Sequence, residues 1–153
     1  MIRMMQGAAA AVLFSCCLAA GAQQDAGYWR AESKTAESIT GDIAISGEKL
    51  MMNFTRFTIA DIRPLSYTEV SAAFDVPAEN GNKGILYRLS IPGDKKFLHR
   101  NTLCGNEETQ WMATFVTGRT LRLVFFSGSS MPVFTPEAIS NTTSLCGSYT
   151  YHR

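Results

Sequence analysis

Few side chains in this chain are suited to chemistry. There are four cysteines (Cys16, Cys17, Cys104, Cys146), two histidines (His99, His152) and scattered carboxylates. Cys104, Cys146, His99 and His152 have the types of a tetrahedral zinc set, but their spacing matches no zinc finger. A redox pair is usually Cys-x-x-Cys, which the chain lacks. A nucleophilic triad needs a histidine held by an acid and close to a serine or cysteine. His152 is next to the last residue, and His99 has no such surroundings. Asp42, Asp61 and Asp75 fall on or beside expected strands, where a cleft could gather a hydrolytic carboxylate pair. Alternation nevertheless puts Asp42 and Asp61 on solvent faces. Gly-x-Ser-x-Gly, a glycine-rich phosphate loop and His-Glu-x-x-His are all absent. The sequence thus assigns no catalytic residue, no metal ligand and no cofactor, and it favours binding over catalysis.

The cysteines are better read as structure. Residues 1–22 have the layout of a secretory signal: Arg3, then an apolar stretch from Gly7 to Leu18, then Ala20-Gly21-Ala22 as the small-x-small cleavage pattern. The apolar stretch is about 12 residues, short of the roughly 20 that cross a bilayer. A second reading places a lipid anchor on Cys16, after Leu13-Phe14-Ser15. Either way Cys16 and Cys17 take no part in the fold, and residues 23–153 are expected as one β-rich domain in the periplasm or outside the cell, with membrane anchoring if Cys16 carries a lipid. The domain keeps two cysteines, within Leu103-Cys104-Gly105 and Leu145-Cys146-Gly147. An oxidising compartment pairs them in one disulfide.

Removing residues 1–22 takes away Arg3 and no acid, which leaves 13 basic and 13 acidic residues. That balance argues against nucleic acid or an anionic membrane as the main partner, since both select a basic excess. No segment is a transmembrane helix by length. The expected partner is another protein or a small ligand, and the expected state is a monomer. Lys95, Lys96, His99 and Arg100 form the one local basic cluster, a candidate contact for an anion or an acidic partner. Asn53-Phe54-Thr55 and Asn141-Thr142-Thr143 match the glycosylation sequon, which acts only in a eukaryotic secretory pathway.

The elements that would position these groups are mostly strands. Ser38–Gly47 alternates with Ile39, Ile43 and Ile45 on one face. Leu50, Met52 and Phe54 follow a Gly47 turn as the second arm of a hairpin. Phe57–Ile62 continues as a strand, and Thr68–Phe74 alternates again. Ile85, Tyr87, Leu89 and Ile91 make the cleanest stripe. Gln110–Thr117 and Thr120–Ser127 flank Gly118-Arg119 and are apolar on both faces, so they are expected to be central and covered on both sides. Thr135-Pro136-Glu137 starts the only expected helix. Ser148–His152 is the last strand. Together these predict an all-β fold, a small antiparallel barrel or sandwich of about 6–8 strands with one disulfide and at most one short helix.

Three resemblances add to this. Gly27-Tyr28-Trp29-Arg30 resembles the Gly-x-Trp opening of lipocalin-like barrels. That likeness implies that Trp29 closes a barrel end against a late arginine, with Arg122 in that part, and that a small apolar ligand is carried inside. Ser127-Gly128-Ser129-Ser130 resembles the Ser-Gly loop of a family of lysozyme inhibitors. The Trp29-Arg30-Ala31, Thr35-Ala36 and Ile39-to-Ile43 stretch, with the two Leu-Cys-Gly sites, is similar to a family of small exported bacterial β-rich proteins that implies no activity. The expected function is an exported protein-binding or inhibitor module, with a carrier of a small apolar ligand second and a hydrolase third.

Overall fold

The structure, a computed structural model, describes residues 23–153. The expected signal segment and the candidate lipid site at Cys16 lie outside the described residues. Nine strands form one antiparallel sheet: β1 (Gly27–Ala31), β2 (Ile43–Ser46), β3 (Lys49–Met52), β4 (Thr55–Thr58), β5 (Ala60–Leu65), β6 (Gly84–Ile91), β7 (Thr109–Thr117), β8 (Thr120–Ser127) and β9 (Leu145–His152). Their spatial order is β4-β3-β2-β1-β9-β8-β7-β6-β5. On either side of one non-sequential joint, β1 against β9, neighbours in the sheet are consecutive in the chain; β2–β3, β3–β4 and β7–β8 are tight hairpins and the other connections carry helical turns or helices. The two end strands, β4 and β5, are separated in the chain by Ile59 alone. Residues 55–65 therefore pair with β3 in their first half and with β6 in their second. The sheet curls so that its ends meet through the backbone, without a β4–β5 hydrogen-bond ladder.

The curl creates two apolar layers. Inward side chains form one core: Trp29, Ile43, Ile45, Leu50, Met52, Ile59, Tyr87, Leu89, Met112, Leu121, Leu123, Phe125, Tyr149 and Tyr151 are all buried together. Outward residues of β5–β8 form a second core, with Leu86, Trp111, Phe115, Val124 and Phe126 covered by two α-helices and the Phe134 segment. The strands that the sequence marks as apolar on both faces are β7 and β8, and both of their faces are covered.

The helices are α1 (Tyr67–Phe74) and α2 (Pro136–Asn141), beside a π-helical turn at Ala36–Thr40 and a 3-10 turn at Leu98–Arg100. Four expectations are corrected here. There are nine strands, not six to eight, because β1 is a strand and Ile59 divides the 55–65 stretch. Helix is more abundant than one short element. Ile39 lies in the π-helical turn, so the strand expected from Ser38 begins at Ile43. Thr68–Phe74 is helical, and its apparent alternation hides a helical face of Val70, Ala73 and Phe74 at i, i+3 and i+4. A capping box fixes that helix: the Glu69 N–H donates to the Ser66 hydroxyl, and the Ser66 N–H donates to the Glu69 carboxylate. Arg63 on β5 meets the same carboxylate with two nitrogens, at 2.9 and 2.8 Å, and clamps α1 to the sheet. Gly84 allows the close approach, since a β-carbon there would stand 2.6 Å from the Thr114 carbonyl oxygen and 3.2 Å from Val70. The second helix starts as expected, with the Thr135 hydroxyl accepting from the Ala138 N–H and Pro136 at the first turn.

Cys104 and Cys146 are bonded, with their α-carbons 4.9 Å apart. The disulfide ties the approach to β7 to the start of β9. It closes a loop of sequence separation 42, for which the chain-entropy model gives about 4 kcal/mol. Urea unfolding of the oxidised protein against its Cys104→Ser/Cys146→Ser form should show a loss of about that size; a loss below about 1 kcal/mol would remove the disulfide from the stability argument.

Candidate functional site

The inward stripe of β6 buries Tyr87 in the core inside the curled sheet, and the register of β6 on β7 places Thr114, opposite Ile85, on the same side and two residue pairs nearer the end. Residues 23–26 enter the curled sheet at this end, by a turn in which the Ala26 N–H donates to the Gln23 carbonyl. The turn delivers Asp25 into the interior at 1% exposure. One carboxylate oxygen, Oδ2, accepts from the Tyr87 hydroxyl at 2.8 Å and from the Thr114 hydroxyl at 2.6 Å. The other, Oδ1, is buried and has no hydrogen-bond partner. Gln23 donates its side-chain amide to the Tyr87 hydroxyl. The Asp25 carbonyl accepts from the Trp29 indole N–H at 2.8 Å.

A cavity of about 670 Å³ opens beside this carboxylate. Asp61 and Glu48 line it with Lys83, and Pro64, Ile85 and Val116 give it an apolar wall. Asp61 stands opposite Tyr87 in the β5–β6 register. Burial pushes the Asp25 carboxyl above the usual carboxylate range, against the two hydroxyl donors, and the Asp61 charge pushes it the same way. Burial and the Asp25 charge also push the Tyr87 hydroxyl up. The site can hold a negative charge with one free acceptor. Among the described residues it has no histidine, no serine or cysteine nucleophile beside a base, and no second buried acid.

The residues singled out from sequence lie elsewhere. Trp29 is fully buried at this end of the sheet, but the cation over its ring is Arg153, at 4.3 Å. Arg122 faces outward from β8 and donates to the Phe74 carbonyl at the end of α1, 3.3 Å away. The expected Trp29–Arg122 pair is therefore replaced by Trp29–Arg153, because alternation along β8 points Leu121 and Leu123 inward and Arg122 out. Lys95, Lys96, His99 and Arg100 all sit on the β6–β7 connection, at the opposite end of the sheet. Phe97 anchors that connection in the core, 6.1 Å from the Phe57 ring, with Lys95 above it. His99 and Arg100 are exposed and have φ of 54° and 62°. Of the three aspartates, Asp42 accepts from the Tyr28 hydroxyl and the Ala31 N–H, which hold its carboxyl below the usual range. Asp75 caps α1, and Asp61 lines the cavity, so no two of the three meet.

Sequence reasoning missed Asp25, Tyr87 and Thr114 as a group. One signal was available: Tyr87 sits in the cleanest apolar stripe, and a buried tyrosine hydroxyl requires a partner. Comparison of the chain with protein-family models, curated proteins and solved structures finds no match. No helix among the described residues is long and apolar enough to cross a membrane.

A carboxyl whose pKa is higher folded than unfolded favours the fold most when protonated. That contribution is full below the ordinary value of 3.8 and is lost as pH rises through the raised folded value. Asp25→Asn, which keeps an acceptor for Tyr87 and Thr114, should therefore melt at or above the parent temperature at pH 7. Asp25→Ala should lose about 1–3 kcal/mol by orphaning two buried hydroxyls. Thermal melts across pH 4–8 check both, and an Asp25→Asn protein destabilised by more than about 1 kcal/mol at pH 7 would contradict the burial account.

Proposed function

We propose that this chain is an exported binding module that docks a protein partner through the barrel end opposite residues 23–26. Phe54 carries the reading. It sits at the tip of the β3–β4 hairpin with 99% of its surface exposed. Asn53 and Phe54 both have positive φ, 46° and 63°, as a two-residue hairpin turn demands. The β2–β3 and β7–β8 turns answer the same demand with Gly47 and Gly118. A phenylalanine there costs about 1–2 kcal/mol in backbone strain and hides no apolar surface. Strain kept at an exposed tip points to use rather than to folding.

The same end carries His99 and Arg100, also at positive φ, with Lys95 and Lys96 beside them and Arg56 exposed on β4. Glu108 is engaged by the Ser90 hydroxyl. An apolar knob flanked by cations fits a partner with an apolar pocket and an acidic rim, and buried aromatics dominate such contacts. The carrier reading loses support from the packing. Trp29, Tyr87, Tyr149, Tyr151, Phe125 and Met52 fill the volume that a carried ligand would need. The Gly-x-Trp opening is then read as a way of closing this end, with Arg153 over the Trp29 ring.

A photo-crosslinker at position 54 should trap one defined protein of the exported compartment, while the same group at exposed Thr143 should not. Phe54→Gly should weaken binding of that protein at least about tenfold and stabilise the fold by about 1 kcal/mol. Equal trapping from positions 54 and 143, or full binding by Phe54→Gly, would sink the reading.

A further inference from the structure

The cavity at the Asp25 end is untouched by the partner-docking reading, and it carries an inference of its own. We propose that it binds a small amphipathic organic cation, with Asp25 receiving a protonated amine and Pro64, Ile85 and Val116 receiving the apolar body. The carboxylate is nearly inaccessible, yet only Oδ2 is satisfied and Oδ1 has no donor. Buried polar atoms in folded proteins are almost always paired, and an unpaired carboxylate oxygen is among the costlier exceptions. For the ionised carboxyl the missing partner is a donor, since a carboxylate only accepts, and a cation held against it would favour that ionised form.

The chain does not supply that donor among the described residues. Lys83 lines the same cavity, but no lysine or arginine nitrogen lies within 4.0 Å of Asp25, Asp61 or Glu48. A metal ion does not fit either, because among the described residues no three His, Cys, Asp or Glu side chains converge as a ligand set. The cavity, at about 670 Å³, is in the range of small-molecule sites, about 300–1,000 Å³. Its three carboxylates against one lysine select positive charge. Its wall is mixed: Ile85 and Val116 face inward on β6 and β7 beside Thr114, and Pro64 closes the side from β5. One charged head and one apolar body is the ligand that uses both features.

The test uses the protein recovered after export and two probes of one shape, 2-phenylethylammonium and the neutral 2-phenylethanol, titrated calorimetrically at pH 7. The amine should saturate a single site, and the alcohol should bind at least about tenfold more weakly, as expected when a charge-assisted hydrogen bond is lost. Asp25→Asn should lose at least about tenfold for the amine and leave the alcohol unchanged. Asp61 is exposed, so Asp61→Asn tests the charge selection without touching the core and should lose a few-fold. The proposal is overturned if amine and alcohol bind equally, if both variants keep the amine affinity, or if the amine does not saturate by about 10 mM. None of these results bears on the Phe54 end.

Discussion

Arg153 lies over the Trp29 ring and donates to the Ala26 carbonyl at 3.0 Å. This contact fastens Arg153 to the first strand, at the joint on which the curl of the sheet depends. Among the described residues the β1–β9 ladder is the only joint between strands that do not follow one another in the chain, and it has just two residue pairs, Arg30 with His152 and Ala31 with Tyr151. Two further groups reinforce it. The N–H groups of Glu32 and Ser33 both donate to the Thr150 carbonyl, and Thr40 shares a buried 2.6 Å hydrogen bond with Tyr151. The π-helical turn at Ala36–Thr40 thus presents Thr40 to the joint. Asp25 takes part as well, because its carbonyl orients the Trp29 indole.

The two ends of the curled sheet follow different physics. At the end entered by residues 23–26, order comes from burial: an acid, two hydroxyls and an indole meet in the interior, and the cost is an unpaired carboxylate oxygen. At the other end the groups are exposed and the cost is in the backbone. Asn53, Phe54, His99 and Arg100 make up four of the five described non-glycine residues at positive φ. The disulfide lies on this second side, between the approach to β7 and the start of β9. It steadies the scaffold beneath the strained tips without entering either.

Strand positions were legible where alternation is long and both ends are marked. Residues 85–91, 120–127 and the Gly118-Arg119 turn were readable from period and turn chemistry, as were the Thr135-Pro136 helix start and the cysteine pair. Thr68–Phe74 misled because Val70 and Phe74 satisfy both a period of two and a spacing of four. The discriminating signal was the Ser66…Glu69 capping box rather than the apolar pattern. Arg122 misled because being late in the chain says nothing about which face of β8 it occupies. The Asp25 site was illegible in sequence for a topological reason. Asp25, Tyr87 and Thr114 are 62 and 89 residues apart in the chain and meet only once the β6–β7 register is set and the entering turn is tucked in.

The partner switch at Ile59 has a further consequence for life in a crowded compartment. An open nine-stranded sheet would present two unpaired rims, each a template on which another chain could add a strand. Here both rims belong to one continuous stretch, bent so that each half is the other's neighbour. Neither half is long, the outer surface of β4 carries Arg56, and β5 carries Pro64, which has no N–H to offer an incoming strand. A bend that reads locally as an interruption thus acts as a guard against edge-to-edge polymerisation, and it does so without a hydrogen-bonded seam.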